Sequence, residues 1–293
     1  MFLQQLFNAL VLGSVYALFA LGFTLTFGVL RVINLLYGFY FAAGAFAALA
    51  AVQRLGLGLA AAGLAGAAVA GLLGVACDGL LLTRLRRTRA PELSSLIVTL
   101  GGVLLMNSLM QSLFGAGVRR FPVTPLTDRV LSLGPVSATP VQLVIVAAVP
   151  AAVAALFALL GRTRLGAAIR AVAERPETAA MMGVNVGALL ALVSFVSAFL
   201  AGGAGVLIGV NFNAVQPYMG EAMMLRGFAV IVIGGLGDIR GALAAGLGLG
   251  FLEVMTAGYL SSELKDAVPF ACLILALWLR PAGLFGLAAA RRA

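Results

Sequence analysis

The sequence predicts an all-α, polytopic membrane protein of eight to nine transmembrane segments, two of them broken spans. Three observations carry this. Hydrophobic residues make up 62% of the 293 positions and charged residues 10%, against roughly 25% charged in an ordinary soluble protein. The apolar residues fall into runs of about 20, the length a helix needs to cross the hydrocarbon core. Glycine occurs 37 times, often inside those runs, which suits helices that approach one another closely in lipid. A single transmembrane domain over residues 1–293 follows, with no soluble domain of any size.

Leu6 to Leu30 reads as the first segment and Ile33 to Val52 as the second. Only Arg31 and Val32 separate them, so the junction must be a tight break at or within the membrane. Leu59 to Leu82 is the third, ended by the basic cluster Arg84, Arg86, Arg87 and Arg89, which marks a cytoplasmic turn. Ser95 to Phe114 is the fourth, followed by a loop over 115–140 whose Pro122, Pro125, Pro135 and Pro140 predict an extended path along the surface. Val141 to Leu160 is the fifth and Leu189 to Val210 the sixth. Residues 222–235 and 242–258 form a broken pair about a glycine-rich turn, and Ala267 to Leu279 closes the series. Met1 to Gln5 has no basic stretch and no small-residue cleavage site, so the first run is expected to be retained as a span.

Charge sets the orientation. With the amino terminus outside and nine crossings, thirteen of the nineteen basic residues lie in the cytoplasm; the opposite orientation inverts that ratio. The residues left outside are Arg54, Arg119, Arg120, Arg129, Arg226 and Lys265. The formal charge of +9 therefore follows membrane topology, and no basic face remains for nucleic acid. The loop at 161–185 and the carboxyl terminus are therefore expected to be cytoplasmic.

That loop, Gly161 to Asn185, is the longest interruption by charge, with Arg162, Arg164, Arg170 and Arg175 beside Glu174 and Glu177. It holds a short helix with readable ends. Pro176 suits the first helical position, Glu177 favours the helix dipole, and Gly183 suits a left-handed stop. Between them lies a small apolar surface ending in Met181 and Met182, side chains that adapt to a partner.

This run, from Thr163-Arg164-Leu165-Gly166 through Ala173-Glu174 to Met182-Gly183-Val184-Asn185, resembles the cytoplasmic coupling loop of bacterial ABC importer permeases. More narrowly it is similar to the branched-chain amino-acid permeases of the LivH/LivM class. Gly13-Ser14-Val15-Tyr16-Ala17-Leu18, Gly234-Gly235-Leu236-Gly237 with Gly241-Ala242, and Ser262-Glu263-Leu264-Lys265-Asp266 match as well, in the same order. The resemblance implies the ABC importer permease fold, a second permease subunit of related sequence, two ATPase subunits and a periplasmic binding protein. It implies branched-chain or other amino acids, or small amides such as urea, as substrates. Arg170, Glu174, Arg175, Glu177, Met181, Met182 and Gly183 are then the expected ATPase contacts. Many relatives carry Ala-His-Gly and an acidic residue shortly after the asparagine of the first break; here Tyr37 and Phe39 stand at the histidine and acidic positions. An apolar, aromatic throat replaces two ionisable groups.

The two breaks are the first candidates for a conduction route, because non-helical backbone at membrane depth must line water or be covered by protein. Gly28 and Gly38 flank the first; Gly234, Gly235, Gly237 and Gly241 mark the second. A similar order of glycines at both hints at internal duplication. Asn34 and Tyr37 are polar groups at the first break. Asn107 and Gln111 lie four apart on one helix face, serving either interhelical hydrogen bonds or substrate. Glu221 falls in a polar cluster with Asn211, Asn213 and Gln216, either an extracellular loop or a gate. Glu253 lies inside an apolar run, where a charge costs roughly 2.5–3.5 kcal/mol, so it should face a cavity or a cation, Arg226 or Lys265.

Histidine is absent, which excludes histidine-based metal, haem and acid–base sites; no metal, cofactor or catalytic residue is expected. Cys77 and Cys272, both in apolar surroundings, read as free thiols. The sequence holds one lysine, Lys265, and no phosphate-binding loop around it, so an importer of this kind must borrow its ATPase. The alternatives are a self-sufficient secondary transporter or channel for a small polar solute, which predicts membrane-embedded ion-coupling carboxylates, and a non-transporting membrane anchor, which needs no broken spans.

Overall fold

A computed structural model describes residues 1–30, 32–88, 92–122, 131–133, 136–280 and 283–285. Arg31, Arg89, Pro125, Arg129, Pro135, Arg291 and Arg292, used above for topology or loop character, lie outside the described residues. The apolar runs form helices: α1 (Phe2–Leu30), α2 (Tyr37–Leu55), α3 (Leu59–Cys77) continuing through a π turn (Asp78–Leu82) into α4 (Thr83–Arg87), α5 (Glu92–Phe114), and α6 (Pro140–Arg162). After α7 (Arg164–Glu174) and α8 (Pro176–Met181) come α9 (Val186–Asn211), α10 (Met219–Gly234), α11 (Ile239–Tyr259), a 3₁₀ turn (Leu264–Asp266) and α12 (Val268–Leu279). Among the described residues seven helices are long and apolar enough to cross a membrane: α1, α2, Leu59–Arg86, Leu93–Phe114, α6, α9 and α11. With 16 and 12 residues, α10 and α12 rise only about 24 and 18 Å at 1.5 Å per residue, short of the ~30 Å hydrocarbon core. They are the remaining two of the nine expected segments. Among the described residues the all-α expectation holds apart from one hairpin, β1 (Leu131–Leu133) antiparallel to β2 (Val136–Ala138), inside the loop expected to be extended.

The contacts divide the chain into two units. The first comprises 1–24, 123–152 and 225–293. Its α1 and α11 meet through small residues: a Cβ on Gly246 would come 2.7 Å from the Ala17 Cα, so only glycine permits the approach. Gln4 binds the edge of β2 as a strand would, its amide donating to the Ser137 carbonyl (2.9 Å) and its Oε1 accepting from the Ser137 N–H (2.7 Å).

The second unit comprises 25–122 and 153–224. Here α2, α3 and α9 pack on one another through Gly44, Gly66, Gly74, Gly202 and Gly205, each set against the backbone or an alanine of a neighbouring helix. With lipid outside and no hydrophobic drive between helices, such small-residue seams supply the van der Waals contact that holds them. The π turn carries a buried Asp78 whose Oδ2 accepts from Arg86 at 2.7 Å, closing the widened turn by an ion pair eight residues apart. Along α5, Leu93, Ile97, Leu100, Leu104 and Leu113 are exposed, as a helix face needs in order to meet lipid.

Candidate functional site

The loop at 161–185 belongs to the second unit and is built by three consecutive turns of capping chemistry. Thr163 ends the membrane helix and starts the next: its Oγ1 donates to the Leu159 carbonyl (2.5 Å) and accepts from the Gly166 N–H (3.0 Å). Gly166 sits against the Leu159 and Leu160 carbonyls, a corner no side chain would fit. From there α7 is amphipathic, burying Gly166, Ile169 and Val172. The Arg170 guanidinium donates back to the Leu160 carbonyl, so this side chain braces the α6–α7 corner rather than standing free at a rim. Arg175, extended, separates α7 from α8.

Pro176 occupies the first turn of α8 and Glu177 lies beside it. At the other end the Val184 N–H donates to the Ala179 carbonyl (3.1 Å) and the Gly183 N–H to the Ala180 carbonyl (3.0 Å), with Gly183 at φ +83°. These paired bonds are a Schellman stop, which requires a left-handed residue at that position. Ala179 faces inward, while Met181 and Met182 are 81% and 83% exposed. Glu174, Arg175 and Glu177 are exposed as well. Asn185 then caps α9, its Oδ1 accepting from the Ala188 N–H at 3.1 Å. The expected helix, its start and its stop are therefore present, outside the long apolar helices.

Polar groups inside the second unit form two separate sets. At the first break, where the described residues between the helices are 32–36 because Gly28 lies within α1 and Gly38 within α2, Asn34 is buried and its Oδ1 accepts from the Leu36 N–H at 3.0 Å. The asparagine thus holds the local turn that starts α2. Tyr37, also buried, donates its hydroxyl to the Ser197 carbonyl of α9 at 2.7 Å. Gly38 is a contact point instead of a hinge: a Cβ there would lie 2.6 Å from the Gly220 carbonyl oxygen. Separately, Asn107 donates to Glu221 Oε1 at 2.7 Å and Gln111 to the Tyr218 hydroxyl. The shared face read from their four-residue spacing is real, and it is turned to the start of α10. Nearby, the Asn213 side chain accepts from the Phe121 N–H at 2.8 Å and Arg119 bridges to Val215, so this polar cluster staples one loop to another.

Glu253 belongs to the first unit. It is 4% exposed; its Oε2 accepts from the Tyr16 hydroxyl at 2.8 Å and its Oε1 faces Arg226 Nη2 at 3.4 Å. Arg226 also reaches Asp266 Oδ1 at 2.6 Å. Of the two cations named from the sequence, it is Arg226 that meets Glu253. In the same unit the second break is a compact turn. Gly235 and Gly237 have φ of +108° and +88°, Asp238 caps α11 by accepting from the Gly241 N–H at 2.8 Å, and Gly241 packs against Gly234. The Leu284 and Phe285 N–H groups donate to the Ile233 and Gly234 carbonyls, closing the otherwise open end of α10.

Sequence reasoning missed three of these partners. Tyr16 hid inside an apolar run, Asp266 in an exposed turn, and Asp78 inside the third segment. The last carried a usable signal, since an ionisable residue in a span calls for a partner and a basic cluster follows it.

The comparisons with known proteins agree with this architecture. The family model for the branched-chain amino acid transport system permease component matches residues 5–277. The chain is 34% identical to the high-affinity branched-chain amino acid transport system permease protein LivH of Escherichia coli K12, over 97% of this chain and 96% of that one. It is 32% identical to the permease protein BraD of Pseudomonas aeruginosa over the same shares, and 26% identical to a probable LivH of Methanocaldococcus jannaschii over 95% and 91%. No solved structure matches the chain. On the family match and the apolar helices together, the chain belongs to the branched-chain amino-acid transport system permease components, multi-pass proteins of the inner membrane.

Proposed function

We propose that the chain is the membrane-spanning subunit of a binding-protein-dependent ABC importer for branched-chain or other amino acids, or small amides such as urea. The observation that carries this is the short, doubly capped helix α8 with Met181 and Met182 exposed at its end, in a chain of this family. Two partner ATPases dock on the loop at 161–185; the methionines fill a groove on them, and Glu174, Arg175 and Glu177 set register at the rim. ATP-driven closure pushes on α8, and rearrangement at the breaks near Asn34 and Gly235 switches the pathway between the two faces. A second permease of related sequence completes the membrane body and a periplasmic binding protein delivers the substrate. The amino terminus lies outside, with the loop and the carboxyl terminus in the cytoplasm. The chain itself hydrolyses nothing.

The test is co-expression with the neighbouring ATPase genes. Wild type is expected to co-purify with ATPase chains, and Met181→Glu/Met182→Glu to lose them while still inserting in the membrane. Transport by the lone chain in liposomes, without ATP, would overturn the assignment. Within the complex, Glu177→Arg should hydrolyse ATP without uptake; wild-type uptake would remove the loop from this role.

A further inference from the structure

We propose that the π turn ending α3 (Asp78–Leu82) is the hinge by which the coupling loop acts on the membrane helices, latched by the Asp78–Arg86 ion pair and released when the turn reverts to an ordinary α-helix. This rests on the importer reading above and names its moving element. The turn is closed by the Thr83 N–H donating to the Asp78 carbonyl, five residues back, so it holds one residue more than an α turn. That residue decides which side chains meet. In a continuous α-helix eight residues make about 2.2 turns, which sets positions 78 and 86 roughly 80° apart around the axis. With one residue taken up in the widened turn, their spacing becomes that of a heptad, within about 20° of one face. On that shared face Arg86 Nη2 reaches back to Asp78 Oδ2 at 2.7 Å and to the Thr83 hydroxyl at 3.0 Å. Reversion turns α4 by about one residue, roughly 100°, and parts the pair.

A rigid brace would be built differently. An arginine–carboxylate fork ordinarily makes two parallel bonds; here one is made, and Asp78 Oδ1 and Arg86 Nη1 are both buried with no partner among the described residues. A pair held by one bond loses less on opening. The outer side of the turn is free to change shape: a Cβ on Gly79 meets open space and Leu80 is 71% exposed. The inner side is touched by α9. That helix starts directly after the loop at 161–185 and touches α8 as well. It lies on α3 with the Phe195 ring against Gly71 and the Ser194 carbonyl against Gly74. A push on α8 therefore reaches the turn through one packed helix, and the turn is the two-state element that such coupling needs.

The experiment uses the assembled importer in liposomes, with its ATPase subunits, partner permease and binding protein, and radiolabelled L-leucine, L-valine or L-isoleucine. The readout is amino acid imported per ATP hydrolysed. Deleting Leu80 removes the additional residue, leaves the flanking helices and the ion pair in their present register, and makes the turn permanently α-helical. A bulge with no role can be removed in this way without loss of coupling. A hinge cannot, so the deletion variant is expected to assemble and hydrolyse ATP yet import at least about fivefold less per ATP, the low end of a coupling between sites. Import per ATP equal to wild type overturns the hinge and leaves the importer reading intact. A wild-type complex whose ATP hydrolysis drives uptake of none of the three overturns both. Should the deletion variant fail to assemble, a distance decides. With Cys77→Ala and Cys272→Ala as background, spin labels on Leu72→Cys and Arg84→Cys flank the turn at exposed positions, and their separation is measured in the complex with and without trapped ATP. A second distance that gains population with ATP supports the hinge; a single distance unchanged by nucleotide refutes it.

Discussion

Gly183→Val should weaken ATPase docking through backbone conformation alone. A Cβ at Gly183 meets nothing within 4 Å, while the backbone stands at φ +83°, so the added side chain collides with nothing and the whole effect comes from the left-handed conformation. For an L-residue that conformation costs roughly 1–2 kcal/mol, more for a β-branched one. The six residues of α8 bury only Ala179, so little tertiary packing opposes the strain, and the Schellman bonds from Gly183 and Val184 are the first to open. A cost of 1–2 kcal/mol shifts the closed-to-open ratio by a factor of about 5–30. Met181 and Met182 sit immediately before the stop and lose their fixed presentation by the same factor. Titrating purified ATPase subunit against the detergent-solubilised permease should therefore show Kd raised about 5–30-fold for Gly183→Val. Gly183→Asn, which tolerates the left-handed region, should stay within a few-fold of wild type. Equal binding by Gly183→Val, or equal loss by both variants, would refute the reasoning.

Further outcomes follow from the packing and the polar contacts. Gly246→Leu pushes a branched side chain into the Ala17 backbone of α1 and should abolish accumulation of folded protein, measured by monodisperse yield in detergent, whereas Gly248→Leu, with open space at its Cβ, should not. Tyr37→Phe removes the hydroxyl bond to the Ser197 carbonyl and should cost about 0.5–1.5 kcal/mol, seen as a lowered thermal unfolding midpoint. Glu253→Leu alone leaves Arg226 with only its exposed partner, and should destabilise more than Arg226→Met/Glu253→Leu in the same thermal assay; the reverse order would contradict the pairing. In a background without Cys77 and Cys272, a cysteine at 178 should be protected from a membrane-impermeant maleimide added outside cells and one at 262 labelled, and the opposite pattern would invert the proposed orientation.

Much of this protein was legible in the linear chain, because the bilayer imposes one-dimensional rules. A helix must satisfy its own backbone in lipid, so each apolar run of sufficient length became a helix near its expected limits. The ends of α8 were equally legible, since Pro176 and Gly183 act on the backbone dihedrals of their own neighbourhood. Asn107 and Gln111 share a face for the same local reason, the 3.6-residue period. The limits of the first break were less legible. Gly28 and Gly38 mark the run in which it falls, but whether a glycine bends a helix or admits another depends on what approaches it, and Gly38 admits Gly220.

What only the tertiary structure decided is which polar groups meet. Tyr16 and Glu253 stand 237 positions apart and Asn107 and Glu221 114 apart; no local period links them. It also decided that Arg226, and not Lys265, answers Glu253, and that Arg170 turns back on Leu160. Apolar length is a property each segment has by itself. A hydrogen bond across helices exists only once two segments are packed in one register, and small-residue seams such as Gly44 on Gly202 set that register by contact between neighbours.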